Sequence, residues 1–169
     1  MNGIDPRPDV SRHLYKDIPK DACVLVYNQT FEKTRLKELA NFLNCNPTDT
    51  QRVDDQTVTN AEIAAHLMNI RDNIKDLMVP FQSRAYYSRE LSGSYSIKDV
   101  LPVLCPDAPA LDYSKLDLVH NGTEAMDIYR KSGSGITDED KRIVIALLEY
   151  CKLDTLAMVK ILGKLRGLL

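Results

Sequence analysis

The stretch that decides the fold reads Cys23-Val-Leu-Val-Tyr27-Asn28-Gln29-Thr30-Phe31-Glu32. Its first five residues form a continuous apolar, β-rich run, the pattern of a strand covered on both faces. Polar Asn28 and Gln29 interrupt the run. Beyond them the apolar period changes, with Leu36, Leu39 and Leu43 at helical spacing. Thr30 is placed to cap that helix, and Glu32 falls in its first turn, where the helix dipole favours a negative charge. A strand, a tight turn and a helix follow one another, and side chains at such a junction converge at the edge of an α/β sheet.

Upstream, Val10, Leu14 and Ile18 recur at four-residue steps, predicting a short amphipathic helix ended by Pro19. Downstream, Asn46-Pro-Thr-Asp-Thr50 reads as a loop, and Thr59 or Asn60 starts a helix with Ile63, Leu67, Ile70 and Ile74 on one face. The run from Ile74 to Val79 fits either a continued helix or a strand ending before Pro80. Ser96-x-x-Asp99 has the form of a capping box for a helix through Val103, with Gly93 and Ser94 supplying the turn before it. A proline-interrupted connector occupies 105–117. Asn121 is placed to cap a helix carrying Ala125, Ile128 and Tyr129, closed by the Gly-Ser stretch at 132–135. Thr137-Asp-Glu-Asp140 then opens the strongest helical segment, with Lys160, Lys164 and Arg166 near its end. Its nearly apolar middle predicts a core helix, bent near Lys152. The expected fold is α/β, helix-rich with few strands, in a single domain over 1–169.

A net charge of −2 leaves no global positive field, so nucleic-acid contact would need a local patch of Lys and Arg. Cys23, Cys45, Cys105 and Cys151 are far apart, with no C-x-x-C pair and no His at zinc spacing; they read as reduced, mostly buried thiols. The polar, proline-punctuated opening lacks the apolar run of a signal peptide, and no segment approaches the ~20 apolar residues of a membrane span. A cytoplasmic protein without membrane partners is expected.

In Glu149-Tyr150-Cys-Lys-Leu-Asp154, the phenol and the acid are four residues apart and share one face of a helix. On spacing alone two accounts stand: Asp154 caps a second helix while Tyr150 packs, or the two side chains serve one site.

Asn28-x-x-Phe31-Glu32 resembles the second motif of the DEDD 3′–5′ exonucleases, and Tyr150-x-x-x-Asp154 resembles the third motif of their tyrosine branch. Both stand in the expected order, with Glu32 where Asp is usual. The longer blocks Val26–Leu39, Gly93–Pro102 and Tyr150–Met158 are similar to a bacterial domain family of unknown function that looks like a ribonuclease-H-like offshoot of those exonucleases, and in that family Glu is the expected residue at 32. The likeness spans essentially the whole chain. It implies a partial ribonuclease-H-like fold and phosphodiester hydrolysis with two Mg²⁺ or Mn²⁺ ions, which in such sites lie about 3.5–4 Å apart and favour carboxylate ligands.

Carried over by position, the resemblance implies Glu32 and Asp154 as metal ligands, Tyr150 as orienter of the attacking water, and Asn28 as a substrate contact. The first motif, Asp-x-Glu on an opening strand, has no counterpart before Cys23; Asp5 lies in a proline-flanked polar stretch. The expectation is therefore the C-terminal portion of an exonuclease-type domain acting on single-stranded DNA or RNA ends, inactive as this chain alone. The other reading is a non-catalytic module that keeps the fold to bind nucleic acid or protein. A truncated sheet would also expose a strand edge near residues 23–28, open to self-association.

Lys98 follows the helix start at Ser96, where backbone N–H groups can hold a phosphate, and is a candidate substrate contact; solvated charge around a capped helix accounts for it as well. Arg84, Arg89, Tyr86, Tyr87 and Tyr95 have the same two readings. Asp72 and Asp76, four apart amid Arg71 and Lys75, read as an exposed helix face, and His13, His66 and His120 as surface or satisfied core residues.

Overall fold

A computed structural model describes residues 5–106, 118–119, 122–131 and 137–167. The chain divides into two compact units, Met1–Asp76 and Leu77–Leu169. Helices predominate over a few short strands in small sheets, an α/β composition.

In the first unit, helix α1 (Arg7–Asp17) precedes strand β1 (Val24–Val26) and helix α2 (Gln29–Leu43). Strands β2 (Thr50–Val53) and β3 (Gln56–Thr59) form an antiparallel hairpin, followed by helix α3 (Asn60–Asp72) and strand β4 (Ile74–Asp76). β4 returns parallel to β1, with Val24 beside Ile74 and Val26 beside Asp76. Two strands joined through helices in this way make a parallel crossover. Leu36, Ala40 and Leu43 of α2 pack with Ile63, Ala64, Leu67 and Ile70 of α3, and Val26 and Ile74 join them from the strands. Burial of each large aliphatic side chain stabilises by about 1.5–3 kcal/mol, which makes the α2–α3 contact the foundation of this unit.

α3 begins as the sequence predicts. Thr59 and Glu62 form a reciprocal capping box, with Thr59 N–H donating to Glu62 Oε2 at 2.8 Å and Glu62 N–H donating to Thr59 Oγ1 at 3.2 Å. Ile74, however, is not on this helix. α3 stops at Asp72, and Ile74 is buried from β4, so the ambiguous run resolves as a strand. The same change removes the shared helix face expected for Asp72 and Asp76: Asp72 ends α3, exposed, while Asp76 is half-buried on β4. His66 is a core residue, its Nε2–H donating to the Ile18 carbonyl at 2.8 Å.

The second unit holds helix α4 (Val79–Gln82), a 3-10 turn at Arg89–Leu91, and helices α5 (Ile97–Leu104), α6 (Gly122–Lys131) and α7 (Asp138–Arg166). α5 and α6 both pack on α7. The capping box expected at Ser96 does not form: Ser96 makes no side-chain cap, and Asp99 is instead engaged by the Ser94 hydroxyl. At α7 the box is present, with Thr137 and Asp140 bonding reciprocally.

α7 runs unbroken through Lys152 and Asp154. It buries Leu153, Ala157 and Ile161 but exposes Val144, Ile145, Leu148, Leu156 and Val159, so only one side of its apolar middle is core. The cysteines also depart from expectation: Cys23, Cys45 and Cys151 are exposed and only Cys105 is buried. Asn121, His120, the stretch at 132–135 and residues 107–117 of the connector lie outside the described residues. No helix among the described residues is long and apolar enough to cross a membrane.

Candidate functional site

Residues 28–32 occupy the junction of β1 and α2. Asn28 takes a left-handed conformation, φ 71° and ψ 73°, a region that Asn tolerates better than most residues because its short polar side chain bonds locally. It makes no side-chain cap, and α2 starts at Gln29, so the capping role expected of Thr30 is not filled by Thr30. The cap comes from elsewhere in the unit. Asp76 Oδ1 accepts the Asn28 N–H and Asp76 Oδ2 accepts the Gln29 N–H, each at 3.0 Å. One turn on, Glu32 is half-buried, with its Oε2 withdrawn from solvent. Asn28 itself is exposed.

Tyr150 and Asp154 lie in the second unit, within the continuous α7, which removes the account in which Asp154 caps a second helix. Burial, then the Asp154 charge and a hydrogen bond to Asp154, push the Tyr150 hydroxyl above the ordinary tyrosine range; Cys151 and Glu124 add to the shift. The phenol therefore keeps its proton, and its O–H donates a hydrogen bond to the Asp154 carboxylate. α6 closes over it, since a Cβ at Gly122 would lie 3.8 Å from the Tyr150 hydroxyl oxygen. A neutral phenol beside a carboxylate orients a polar ligand through a hydrogen bond and has no capacity to act as a base at neutral pH.

Lys98 is half-buried in the first turn of the eight-residue α5, also in the second unit. Tyr86 packs edge-on against Phe81 with ring centroids 5.4 Å apart, whereas Tyr87 and Tyr95 are exposed. The structure thus brings together Asn28 with Glu32 and Tyr150 with Asp154. Two participants were not visible in the sequence: Asp76, 48 residues from the backbone it holds, and Glu124, brought near Tyr150 by the packing of α6 on α7.

Among the described residues no group of three or more His, Cys, Asp or Glu side chains is placed to hold a metal ion. Mg²⁺ and Mn²⁺ require several oxygen ligands. The described carboxylates do not amount to a metal centre.

The chain belongs to a bacterial family defined as a domain of unknown function, DUF2779, whose model matches residues 1–96. That match includes Asn28, Glu32 and Asp76 and ends before Tyr150. It is similar over 94% of its length to the uncharacterized protein UU173 of Ureaplasma parvum serovar 3, at 26% identity, and to the uncharacterized MG366 homolog of Mycoplasma pneumoniae, at 29% identity. The chain spans about a quarter of these curated relatives, covering 23% of each. No solved structure matches it.

Proposed function

We propose that this chain is part of a metal-dependent nuclease domain of the 3′–5′ exonuclease type, acting on single-stranded DNA or RNA ends, with Glu32 and Asp154 as metal ligands, Tyr150 as orienter and Asn28 and Lys98 as substrate contacts. The observation that carries the reading is the Tyr150–Asp154 pair: an unbroken helix presents a neutral phenol hydrogen-bonded to a carboxylate, in the spacing of the exonuclease third motif. The Asn28–Glu32 segment supports it by lying where a strand passes into a helix, a place where side chains converge at a sheet edge.

The remaining acids belong, on this reading, to an Asp-x-Glu strand outside these residues. Such a strand has a place to add: among the described residues β1 pairs only with β4, so one β1 edge is open to a further strand or to another copy of the chain. Mg²⁺ or Mn²⁺ would be held only in the completed domain.

The second reading is a binding module that keeps the fold without catalysis. The two separate in one assay. A form extended to the length of the relatives should shorten labelled single-stranded oligonucleotides from the 3′ end in Mg²⁺ or Mn²⁺, with E32Q and D154N each reducing the rate by at least ~10²-fold. Residues 1–169 alone should not cleave. An extended form that binds these oligonucleotides and leaves their ends intact establishes the module.

A further inference from the structure

The Asn28–Glu32 segment is tied to a residue far along the chain. Asn28 is left-handed and makes no side-chain cap. Successive N–H groups from a left-handed residue and the helical residue after it form a small concave anion site, and the dipole of a 15-residue helix favours an anion there. The carboxylate of Asp76 fills it, one oxygen to each N–H. Asp76 reaches that position because β4 lies parallel to β1 with Asp76 beside Val26, two residues before Asn28.

We infer that Asp76 is the positioning residue of the candidate site: its two hydrogen bonds hold the left-handed turn at Asn28 and so set the direction in which Glu32 leaves the first turn of α2. The consequence for cleavage rests on the nuclease reading above; the consequence for geometry does not. Both of these Asp76 bonds go to backbone N–H groups, so its loss should act through the placement of Asn28 and Glu32 and lower turnover. An isosteric Asn retains one acceptor oxygen and replaces the other with an N–H₂ that faces the Gln29 or Asn28 donor. D76N therefore removes half of the clamp without removing its volume.

The test pairs D76N with D72N, which removes the same charge from an exposed position nearby. In the NMR spectrum of the 169-residue chain, D76N should shift the Asn28 and Gln29 amide protons upfield and change the N–H residual dipolar couplings of residues 28–32, while D72N leaves them in place. In the extended form, D76N should lower kcat on the order of 10-fold, as misplacement of a reacting group does, and D72N should not. Amides that stay in place overturn the inference, and so do shifted amides with full Glu32-dependent cleavage. If the unmodified extended form does not cleave, the nuclease reading fails. Asp76 is then decided by the ¹³C signal of the Glu32 carboxyl, which must move with the two amides in D76N; a fixed signal overturns the positioning role. Should D76N fail to fold, the amide and dipolar-coupling comparison alone is made in an Asn28→Gly background, where glycine takes the positive φ without steric cost.

Discussion

Asp76 and Asn28 are 48 residues apart in sequence, yet the carboxylate of one holds the backbone of the other at 3.0 Å, across the parallel pairing of β4 with β1. The left-handed conformation this secures, φ 71°, is costly for residues with a bulky Cβ, by about 1–2 kcal/mol. Asn28→Val should lower unfolding free energy by roughly that amount, and Asn28→Gly should be near neutral. Urea denaturation of the two variants measures the difference. Equal stability of all three proteins would mean that the turn is not held in solution.

The start of α3 allows a test with a sign in pH. Hydrogen bonds from the Thr59 backbone N–H and then from its hydroxyl hold the Glu62 carboxyl below the ordinary glutamate range. A group whose folded value is depressed contributes stability above its unfolded value and loses it as pH falls through the folded one. The unfolding free energies of wild type and E62Q should therefore differ at neutral pH and converge in acid. Thr59→Ala, which removes the other half of the box, should cost about 1 kcal/mol.

Tyr150 gives the opposite sign. Its hydroxyl is pushed up by burial and by Asp154, so it stays protonated through the pH range in which ordinary tyrosines ionise. Its contribution to stability is present below the unfolded tyrosine value and is lost as pH rises toward the folded one. Alkaline titration followed by phenolate absorbance should show a late step above the ordinary tyrosine range in the wild type that Y150F abolishes. On the nuclease reading, Y150F in the extended form should slow cleavage on the order of 10²-fold, with no new limb in the pH–rate profile near neutrality. A wild-type minus Y150F difference that develops in the ordinary tyrosine range contradicts the buried, Asp154-bonded phenol.

What could be read in the sequence was what is local. The Thr59–Glu62 box, the α7 start at Thr137 and the shared face of Tyr150 and Asp154 depend on residues three or four apart, and each is present. The β2–β3 hairpin was missed because its turn, Asp54-Asp55, lacks the Asn-Gly or Asp-Gly signature, although Asp54 takes φ 50°. β4 was ambiguous because three residues carry no period, and their strand character comes from β1 alongside. The anchoring role of Asp76 follows from that same pairing and was equally invisible; sequence spacing to Asp72 pointed to a helix that had already ended. Thr30 was a plausible cap by composition, but a carboxylate delivered from β4 occupies the position.

The two sides of α7 show the same limit and lead to the last expectation. Leu153, Ala157 and Ile161 recur at four-residue steps and are buried, whereas Ile145, Leu148 and Val159 on the other side are 61%, 64% and 60% exposed. Helical periodicity shows that both sides are apolar, and only the packed neighbours α5 and α6 decide which is core. Truncating the buried side should cost far more than changing the exposed one. Leu153→Ala or Ile161→Ala should destabilise the chain by about 2–5 kcal/mol, the range for large aliphatic residues that leave a cavity. Ile145→Lys, Leu148→Lys and Val159→Lys should each stay within about 0.5 kcal/mol of wild type, as surface substitutions do. Thermal or urea unfolding of the five variants checks the contrast. A large loss from Leu148→Lys in the isolated chain would show that this side of α7 is covered in solution, and would move the boundary of the core to the opposite face of the helix.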